Sequence, residues 1–282
     1  MGLLLICCST AHSYIIVWDL VDVLFEVHKA KIGMHIVNKA TGGNIWSLFK
    51  MAAHVPTETQ IKKMMKDVLD KIDPQPCRIK MRDDNGDYVS EVFCEYLACQ
   101  ISSQRLLHKI HESIRQLDAE GYFKTPLQKK LITSTLETVF TPELYAHYMA
   151  PIKKGIALVK LCAEKKNSKG KLMNQLMVLS NWDCESFSYL LQKKTSQKVF
   201  QYFKKENVFI SGQFDMLEGL KPCQWVFNYL IDYKNLKPSD FILIDNSAEN
   251  VAAARKCGMR AIQLRKRNYA EVETELRKLG AL

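Results

Sequence analysis

The fold is decided by a short stretch near the amino terminus, residues 14–25, which read YIIVWDLVDVLF. Its first five residues are almost entirely apolar and rich in Ile and Val, a pattern typical of a strand buried on both faces of a parallel sheet. The strand ends at Asp19, a carboxylate in an otherwise apolar run. Ligands of open parallel sheets bind at the carboxyl ends of the strands, so Asp19 is the first candidate functional residue.

Four further apolar stretches in the second half of the chain are predicted to be strands of the same sheet. They lie at residues 172–179, 207–211, 241–244 and 261–264, with a helical pattern at 249–256. Strands that alternate with helices form parallel sheets with right-handed crossovers. The sequence therefore predicts an α/β fold, with a Rossmann-like parallel sheet as its core.

A long, mostly helical region separates the first strand from the others. It runs up to a polar linker that begins at Lys165, after which the pattern of strands resumes. We therefore expect a core domain made of residues 1–28 and 172–282. A large helical domain, residues 29–171, is expected as an insertion after the first strand.

Several local signals place helices within this insertion. Thr57–Gln60 has the composition of a helix start, with Thr and Gln at capping-box spacing. Apolar residues recur at helical spacing over residues 88–117 and again over residues 126–140. Thr141-Pro142 opens a further helix, since proline is favoured in the first turn. The sequence thus predicts four helices in the part of the insertion that begins at residue 57.

The charge of the chain favours anionic partners. It contains 282 residues, with 40 Lys and Arg against 30 Asp and Glu, a formal net charge of +10. Such a balance suits phosphate esters, nucleic acid or acidic membrane surfaces. The basic residues are dispersed in short clusters and form no stripe interleaved with aromatic residues, so we expect no nucleic acid partner.

Targeting signals and cysteine usage point to the cytoplasm. No apolar stretch approaches the roughly 20 residues that a transmembrane helix needs, and the amino terminus lacks the positive region of a signal peptide. The nine cysteines include no CxxC pair and no zinc-ligand spacing, which indicates mostly reduced thiols. We expect a cytoplasmic protein, with export as an effector as the alternative.

Four polar side chains are expected to converge at one edge of the sheet. Asp19, Ser180 and Asp245 each follow a predicted strand, and Lys221 follows the strand at 207–211 and begins a helix opened by Pro222. Each residue alone has an ordinary reading, as a strand end, a helix cap or a surface lysine. Together they place a carboxylate, a hydroxyl, an ammonium and a second carboxylate around one point.

Four segments in this order resemble the four motifs of the haloacid-dehalogenase-like (HAD) hydrolase superfamily, of the helical-cap phosphatase type. They are residues 15–25, Val178-Leu179-Ser180-Asn181, Leu220-Lys221-Pro222 and the stretch IDNSAENV at residues 244–251. The resemblance covers about residues 12–28 and 172–270. It implies that the helical insertion corresponds to the helical cap domain of the family, although it is long for a cap.

The resemblance implies phosphatase chemistry. Asp19 would be the nucleophile that forms an aspartyl-phosphate intermediate, which water then hydrolyses. Ser180, Asn181 and Lys221 would bind the phosphate, and Asp245 would orient Lys221 or the metal shell. The expected partner is a small phosphorylated substrate or a phosphoaryl group such as phosphotyrosine.

The family also implies a Mg²⁺ cofactor, and here the sequence departs from the pattern twice. The positions that carry the metal site are Asp19, Val21, Asp245 and Asn246. Val21 stands where most family phosphatases have a second Asp that acts as general acid, and Asn246 stands where a metal-binding Asp is usual. A neutral amide attracts a dication less than a carboxylate does. The resemblance therefore implies weakened metal binding.

The loss of the general acid at Val21 bears on the substrate. Without a proton donor, phosphate esters with good leaving groups are favoured: aryl phosphates, phosphotyrosine or sugar 1-phosphates. Asp22 and His28 are the substitute acids that the sequence offers. Both lie close to motif one along the chain, although His28 also reads as an ordinary surface or hinge histidine.

Two other functions stay open at this point. The departures at Val21 and Asn246 also fit a catalytically weak or inactive HAD-fold binding module. A metal-independent 2-haloacid dehalogenase is the second alternative, but such enzymes use an arginine soon after motif one, and the first arginine here is Arg78. The run Asp83–Asp87 resembles a calcium loop with a misplaced glycine and is interpreted as a turn at Asn85-Gly86.

Overall fold

The structure is a computed structural model that describes residues 13–43, 56–82 and 86–282. The predicted turn at Asn85-Gly86 falls partly outside these residues. The strands of the described residues are β1 Tyr14–Trp18, β2 Phe25–Val27, β3 Met149–Pro151, β4 Asn174–Ser180, β5 Val208–Ile210, β6 Phe241–Asp245 and β7 Arg260–Gln263. Five of them form one parallel sheet in the order β5-β4-β1-β6-β7.

The described residues contain twelve α-helices. They are α1 Lys29–Thr41, α2 Glu58–Ile72, α3 Glu91–Leu97, α4 Ser103–Ala119, α5 Pro126–Phe140, α6 Pro142–Tyr148, α7 Lys153–Glu164, α8 Cys184–Gln192, α9 Lys194–Phe200, α10 Gln224–Lys234, α11 Ala248–Lys256 and α12 Tyr269–Lys278. After β4 the strands of the sheet alternate with helices, as parallel connections require. The predicted α/β fold with a Rossmann-like core is confirmed.

Strand β1 lies in the middle of the sheet, and all five of its residues are buried. It pairs with β4 on one side and with β6 on the other. Side chains alternate between the two faces of a strand. Ile16 and Trp18 join one hydrophobic cluster, and Ile15 and Val17 join a second cluster. Both faces are therefore covered, which explains why the strand sequence is continuously apolar.

The predicted strands lie within one or two residues of the observed ones. The largest difference is at the start of β4, which begins at Asn174 and not at Leu172. Leu172 is exposed and pairs with Lys166 in an isolated bridge that closes the polar linker. Strand β6 extends one residue further than expected and ends with Asp245 itself. That carboxylate is therefore held by a regular strand.

Helices α2 to α5 pack around a hydrophobic cluster of their own, distinct from the clusters on the sheet. Thr57 forms the predicted capping box with Gln60, and α5 has the predicted bounds. The helix predicted over residues 88–117 is wrong as a single element. It is broken into α3 and α4, because Cys99 adopts a left-handed backbone with φ 59° and Ser102 caps the start of α4.

Buried residues of the segment that follows α5 pack on the sheet, although the Tyr148 ring of α6 also contacts the His35 ring of α1. Buried residues of α6, β3 and α7, namely Ala146, Met149, Leu158, Val159 and Cys162, belong to the same cluster as Ile16 and Trp18. Strand β3 also pairs with β2 in a short antiparallel ribbon. The predicted end of the insertion at residue 171 stays a prediction, and the burial of these residues with β1 favours a shorter insertion. The name helical insert is used below for residues 29–141.

Two further sequence expectations can be compared with the structure. Cys77 and Cys94 are bonded as a disulfide within the helical insert, against the expectation of reduced thiols for that pair. Their Cα atoms lie 6.4 Å apart, within the normal range for such a bond. Five other cysteines of the described residues are free. No helix in the described ranges has both the length and the apolar character that crossing a membrane requires.

Candidate active site

The site is built around a buried ammonium group shared by two carboxylates. Lys221 Nζ donates to Asp19 Oδ1 at 2.8 Å and to Asp245 Oδ2 at 2.6 Å. Asp19 follows the last residue of β1 and Asp245 ends β6, and these strands are neighbours in the sheet. All three side chains are less than a tenth exposed. The structure thus brings together three of the four predicted catalytic residues by direct contact.

Lys221 is not on a strand, and its position depends on Asn181. The Asn181 amide donates to the backbone carbonyl of Lys221 and accepts from its backbone N–H, both at 2.8 Å. The Asn181 amide also approaches Met81 Sδ at 3.5 Å. Asn181 was predicted to bind substrate. In the structure its side-chain amide holds the backbone of Lys221 in position. The expectation that Lys221 begins a helix is wrong, because α10 begins only at Gln224.

Asp245 is held by more partners than the sequence revealed. Its Oδ1 accepts the backbone N–H of Ser247 at 2.8 Å. The Asn250 side-chain amide donates to both carboxylate oxygens, at 3.1 and 3.0 Å. Asn250 lies within the fourth motif, but nothing in its spacing assigned it a role. Helix α11 begins between the two residues and brings the Asn250 amide back towards Asp245.

Burial governs the protonation of this triad. Desolvation raises the pKa of Asp19 to about 6, an effect that the Lys221 ammonium opposes and the Asp245 carboxylate reinforces. Burial alone would lower the pKa of Lys221, but the two carboxylates outweigh it and raise that pKa. The lysine therefore stays charged, and Asp19 is ionised only above about pH 6. An ionised, partly neutralised carboxylate is what nucleophilic attack on an anion needs.

Ser180 is the fourth predicted catalytic residue. It is the last residue of β4, the strand beside β1, and only 1% of it is exposed. Its hydroxyl is buried and has no hydrogen-bond partner among the described residues. A buried, unsatisfied hydroxyl costs free energy, so its presence at the end of a central strand calls for a ligand. It is the expected donor to an anionic group.

The residues at the predicted metal site are a poor fit for Mg²⁺. No group of three or more His, Cys, Asp or Glu that could hold a metal occurs within the described residues. Both Asp245 oxygens already accept hydrogen bonds from the protein. Val21 has no side-chain donor, and Asn246 offers only a neutral oxygen. Mg²⁺ prefers a shell of hard, mostly charged oxygen ligands, and Asp19 alone supplies little of one.

The two substitute acids suggested by the sequence are occupied or exposed. Asp22 adopts a left-handed backbone with φ 60°, and its carboxylate forms an ion pair with Arg267 at 2.6 Å. Arg267 also pairs with Glu26. His28 lies on the surface just before α1 and its side chain caps no backbone group of that helix. The structure gives neither residue a contact with Asp19.

An aromatic cavity lies beside the loop that follows Asp19, and its aromatic wall was not predicted from the sequence. It has a volume of about 70 Å³ and is bounded on one side by Val21, Asn181 and Trp182. The helical insert closes the other side, mainly with aromatic and aliphatic side chains: Phe93, Tyr96, Leu97, Val139 and Phe140. The spacing of 93 and 96 places both rings on one helix face, a pattern that is equally typical of core packing.

Two polar groups also face this cavity. Asp183 and Tyr145 line it, and the Tyr96 hydroxyl lies beside the Asp183 carboxylate. Burial raises the pKa of Asp183, and it raises those of Tyr96 and Tyr145. The phenols therefore remain neutral at any ordinary pH. The cavity is an apolar, aromatic site that opens next to a charged one.

Comparison with solved structures identifies the fold. An aspartate-to-alanine variant of a HAD family enzyme from Bacteroides thetaiotaomicron superposes with a TM-score of 0.51 at 13% identity, over 89% of this chain and 93% of that one. A predicted HAD-like family hydrolase from Porphyromonas gingivalis gives a TM-score of 0.50 at 15% identity, over 94% and 98%. The chain has the fold of the haloacid-dehalogenase-like hydrolases.

Sequence comparison adds nothing to this likeness. No protein-family model matches the chain, and no curated protein matches it. The fold is therefore recognised through structure, and the function has to be argued from the site itself.

Proposed function

We propose that the protein is a phosphoric monoester hydrolase, a HAD-type phosphatase that works through an aspartyl-phosphate intermediate on Asp19. The observation that carries this proposal is the buried Lys221 ammonium, which contacts the Asp19 and Asp245 carboxylates at 2.8 and 2.6 Å. A carboxylate can attack a phosphate anion only where the negative charges are neutralised. Lys221 supplies the neutralising positive charge next to the attacking Asp19 carboxylate.

The first chemical step is a displacement at phosphorus. An Asp19 oxygen forms a bond to phosphorus, while the bond from phosphorus to the leaving-group oxygen breaks. Lys221 stabilises the charge that gathers on the phosphoryl oxygens, and the Ser180 hydroxyl donates a hydrogen bond to one of them. The leaving oxygen departs with the electron pair and takes a proton from solvent. Asp245 keeps the ammonium in place throughout.

The second step returns the enzyme to its starting state. A water molecule attacks phosphorus in the aspartyl phosphate, and the bond between phosphorus and the Asp19 oxygen breaks. Inorganic phosphate leaves with the proton that the water loses, and Asp19 is again a carboxylate. Because Asp19 has a pKa of about 6, the rate should fall as the pH drops through that value.

The aromatic cavity supports an aryl leaving group. Val21 provides no proton donor, so a leaving oxygen that is stable as an anion is favoured, such as a phenolate. Phe93, Tyr96 and Phe140 form an apolar wall next to that position. Aromatic rings pack favourably against one another. Aryl phosphates, including phosphotyrosine, are therefore the substrates we propose, ahead of sugar 1-phosphates.

Mg²⁺ is proposed only as a weakly bound cofactor. The related fold from Bacteroides thetaiotaomicron holds magnesium and inorganic phosphate. A Mg²⁺ ion supplies charge neutralisation to a phosphate when it is bound. In this chain Asp19 and the Asn246 amide oxygen are the groups that would face the ion. Asp19 is the one carboxylate of the two. Lys221 therefore carries most of the neutralisation that the reaction needs.

A panel of substrates tests the proposal. Initial rates should be measured on 4-nitrophenyl phosphate, phosphotyrosine, glucose 1-phosphate and glycerol phosphate, with and without Mg²⁺. We expect aryl phosphates to be turned over well above glycerol phosphate. Val21→Asp should raise the rate on glycerol phosphate by about 10²-fold while changing aryl rates little. No phosphate release from any ester would overturn the proposal and favour a binding module, and halide release from 2-haloacids would favour a dehalogenase.

A further inference from the structure

One of the places where the helical insert contacts the core is the short segment of residues 98–102, between α3 and α4. Ser211 of the core donates to the carbonyl of Leu97 at 2.7 Å, next to this segment. Gln100 donates to the carbonyl of Asp215 at 3.2 Å. These contacts join residues more than 100 positions apart in the chain. The segment therefore helps to fix the position of the insert over the core.

Two free thiols lie within this contact, one from each side. Cys99 belongs to the insert and Cys184 to the core, and the Cys184 backbone N–H donates to Cys99 Sγ at 2.9 Å. Each thiol is also the largest influence on the pKa of the other, raising that of Cys99 and lowering that of Cys184. Both cysteines are half-buried.

A glycine makes room for the two sulfur atoms. A Cβ atom at Gly212 would lie 2.5 Å from Cys99 Sγ and 2.8 Å from Cys184 Sγ, closer than real atoms approach. Any side chain at this position would therefore displace at least one of the sulfurs. The absence of a side chain at Gly212 is what lets the two thiols share one site.

The surroundings give the two thiols different reactivities. Cys184 is the first residue of α8, a nine-residue helix whose N-terminus favours a nearby thiolate, although the Cys184 backbone N–H itself donates to Cys99 Sγ. The hydrogen bond from the Cys99 thiol lowers the pKa of Cys184, although burial and nearby acids, Asp183 first, oppose this. The hydrogen bond with Cys184, followed by burial, raises the pKa of Cys99. Cys184 is thus the attacking thiol and Cys99 the resolving one.

We propose that Cys99 and Cys184 are a redox-active dithiol that oxidises to a disulfide and joins the helical insert to the core. The oxidant is a low-molecular-weight disulfide such as oxidised glutathione. The Cys184 thiolate attacks one of its sulfurs, the glutathione disulfide bond breaks, and one glutathione leaves. Cys99 then loses its proton and attacks Cys184 Sγ, which releases the second glutathione. Two electrons pass from the protein to the oxidant, and the two thiol protons end on the two glutathiones.

The position of the pair links it to the aromatic cavity. Cys184 follows Trp182 and Asp183, and Cys99 is two residues after Leu97, and these three neighbours all line the cavity. A bond between the two cysteines would hold both walls together. If the proposed phosphatase activity is correct, oxidation should slow the exchange of substrate and product. That consequence rests on the proposed function, whereas the disulfide itself does not.

The primary test is chemical. The full-length protein is incubated with oxidised glutathione, the remaining thiols are blocked, and peptides are mapped by mass spectrometry without reduction. We expect a linked peptide containing residues 99 and 184, lighter by two hydrogen atoms than its parts. Cys99→Ser should leave glutathione attached to Cys184, and Cys257→Ser, which removes a remote thiol, should change nothing. Glutathione on both cysteines with no linked peptide would overturn the proposal.

A second variant keeps the proposal testable if the cysteine substitution prevents folding. Gly212→Ala keeps both thiols but pushes them apart, so the yield of the linked peptide should fall at least about tenfold. An unchanged yield in a folded Gly212→Ala protein would overturn the proposed geometry. Phosphatase rates before and after oxidation form a separate arm. A linked peptide in a protein without phosphatase activity would reject the proposed function and keep the dithiol.

Discussion

The core and the helical insert contribute to the site in different ways. The core supplies every charged group, and each is fixed by short hydrogen bonds at the end of a strand or beside one. The insert supplies an aromatic wall: Phe93, Tyr96 and Phe140. Charges must be placed to within a fraction of an ångström to act in a reaction, whereas apolar walls tolerate repacking. In the proposed function, the chemistry and the choice of substrate would therefore be carried by separate regions of the chain.

The largest effect is expected from Asp19→Asn in the core. The variant removes the nucleophile and should lower kcat by at least about 10³-fold on every substrate. Because burial raises the pKa of Asp19, its ionised form costs stability above about pH 6, so the unfolding free energy at pH 8 should not fall. Steady-state rates and denaturant titrations check both points. Retained activity in this variant would mean that Asp19 of the core is not the nucleophile.

Lys221→Met should test how strongly the two core carboxylates depend on their shared ammonium. Removing one partner of a buried ion cluster costs about 3–5 kcal/mol. The loss should be larger at pH 8 than at pH 5, because protonation of the stranded carboxylates relieves their repulsion as the pH falls. Denaturant titrations at both pH values measure this difference.

Lys193→Met is the matched control for that variant. Lys193 donates to the backbone carbonyls of Ala146, His147 and Met149 and to no carboxylate. Its loss should cost stability by a similar amount at pH 5 and pH 8. If both variants show the same dependence on pH, the carboxylates do not repel each other as the geometry indicates.

A change in the aromatic wall should alter substrate choice without altering the chemistry. Phe93→Ala should raise KM for 4-nitrophenyl phosphate by about tenfold, since a buried aromatic contact contributes about 1.5–3 kcal/mol. The KM for glycerol phosphate should change little. Phe123→Ala is the control, because Phe123 packs in the same cluster of the insert but does not line the cavity. Equal shifts for both substrates would mean that the wall does not contact the leaving group.

The smallest effect is expected at the metal position. Asn246→Asp adds a carboxylate beside Asp245 and should tighten Mg²⁺ binding by about tenfold, measured by calorimetry in the absence of substrate. Asn268→Asp, which adds the same charge on the exposed surface, should leave the titration unchanged. A flat response in both variants would show that residue 246 does not face the ion.

The core could be predicted from the sequence because its signals are local. Strand β1 is buried on both faces, so nearly every residue must be apolar, and the change to Asp19 marks its end. The residues at the strand ends then meet for topological reasons alone. Resemblance to a family supplied the roles, and the structure supplied the contacts. Ser180 was predicted as a donor, and its unsatisfied hydroxyl is consistent with that role.

The remaining features depend on contacts between distant residues. The helical periodicity of residues 88–117 gives no sign of the break at Cys99. The contacts at this break come from Cys184 and Ser211, core residues that lie far away in the sequence. Arg267 forms an ion pair with Asp22, a residue 245 positions away in the chain. The sequence alone therefore could not exclude Asp22 as the substitute acid. Residues 142–164 have ordinary helical patterns, and only the burial of their side chains with β1 favours placing them with the core.

Asn181 has a consequence for how this site could be changed. Its amide holds the backbone N–H and carbonyl of residue 221 and makes no use of the lysine side chain. The path of the chain at residue 221 is thus set independently of which amino acid stands there. A protein engineer who exchanged the functional group at this point would keep these two backbone hydrogen bonds but would also have to change Asp19 and Asp245, because stranding them costs about 3–5 kcal/mol. The same independence would let natural selection try new reactions on an unchanged backbone.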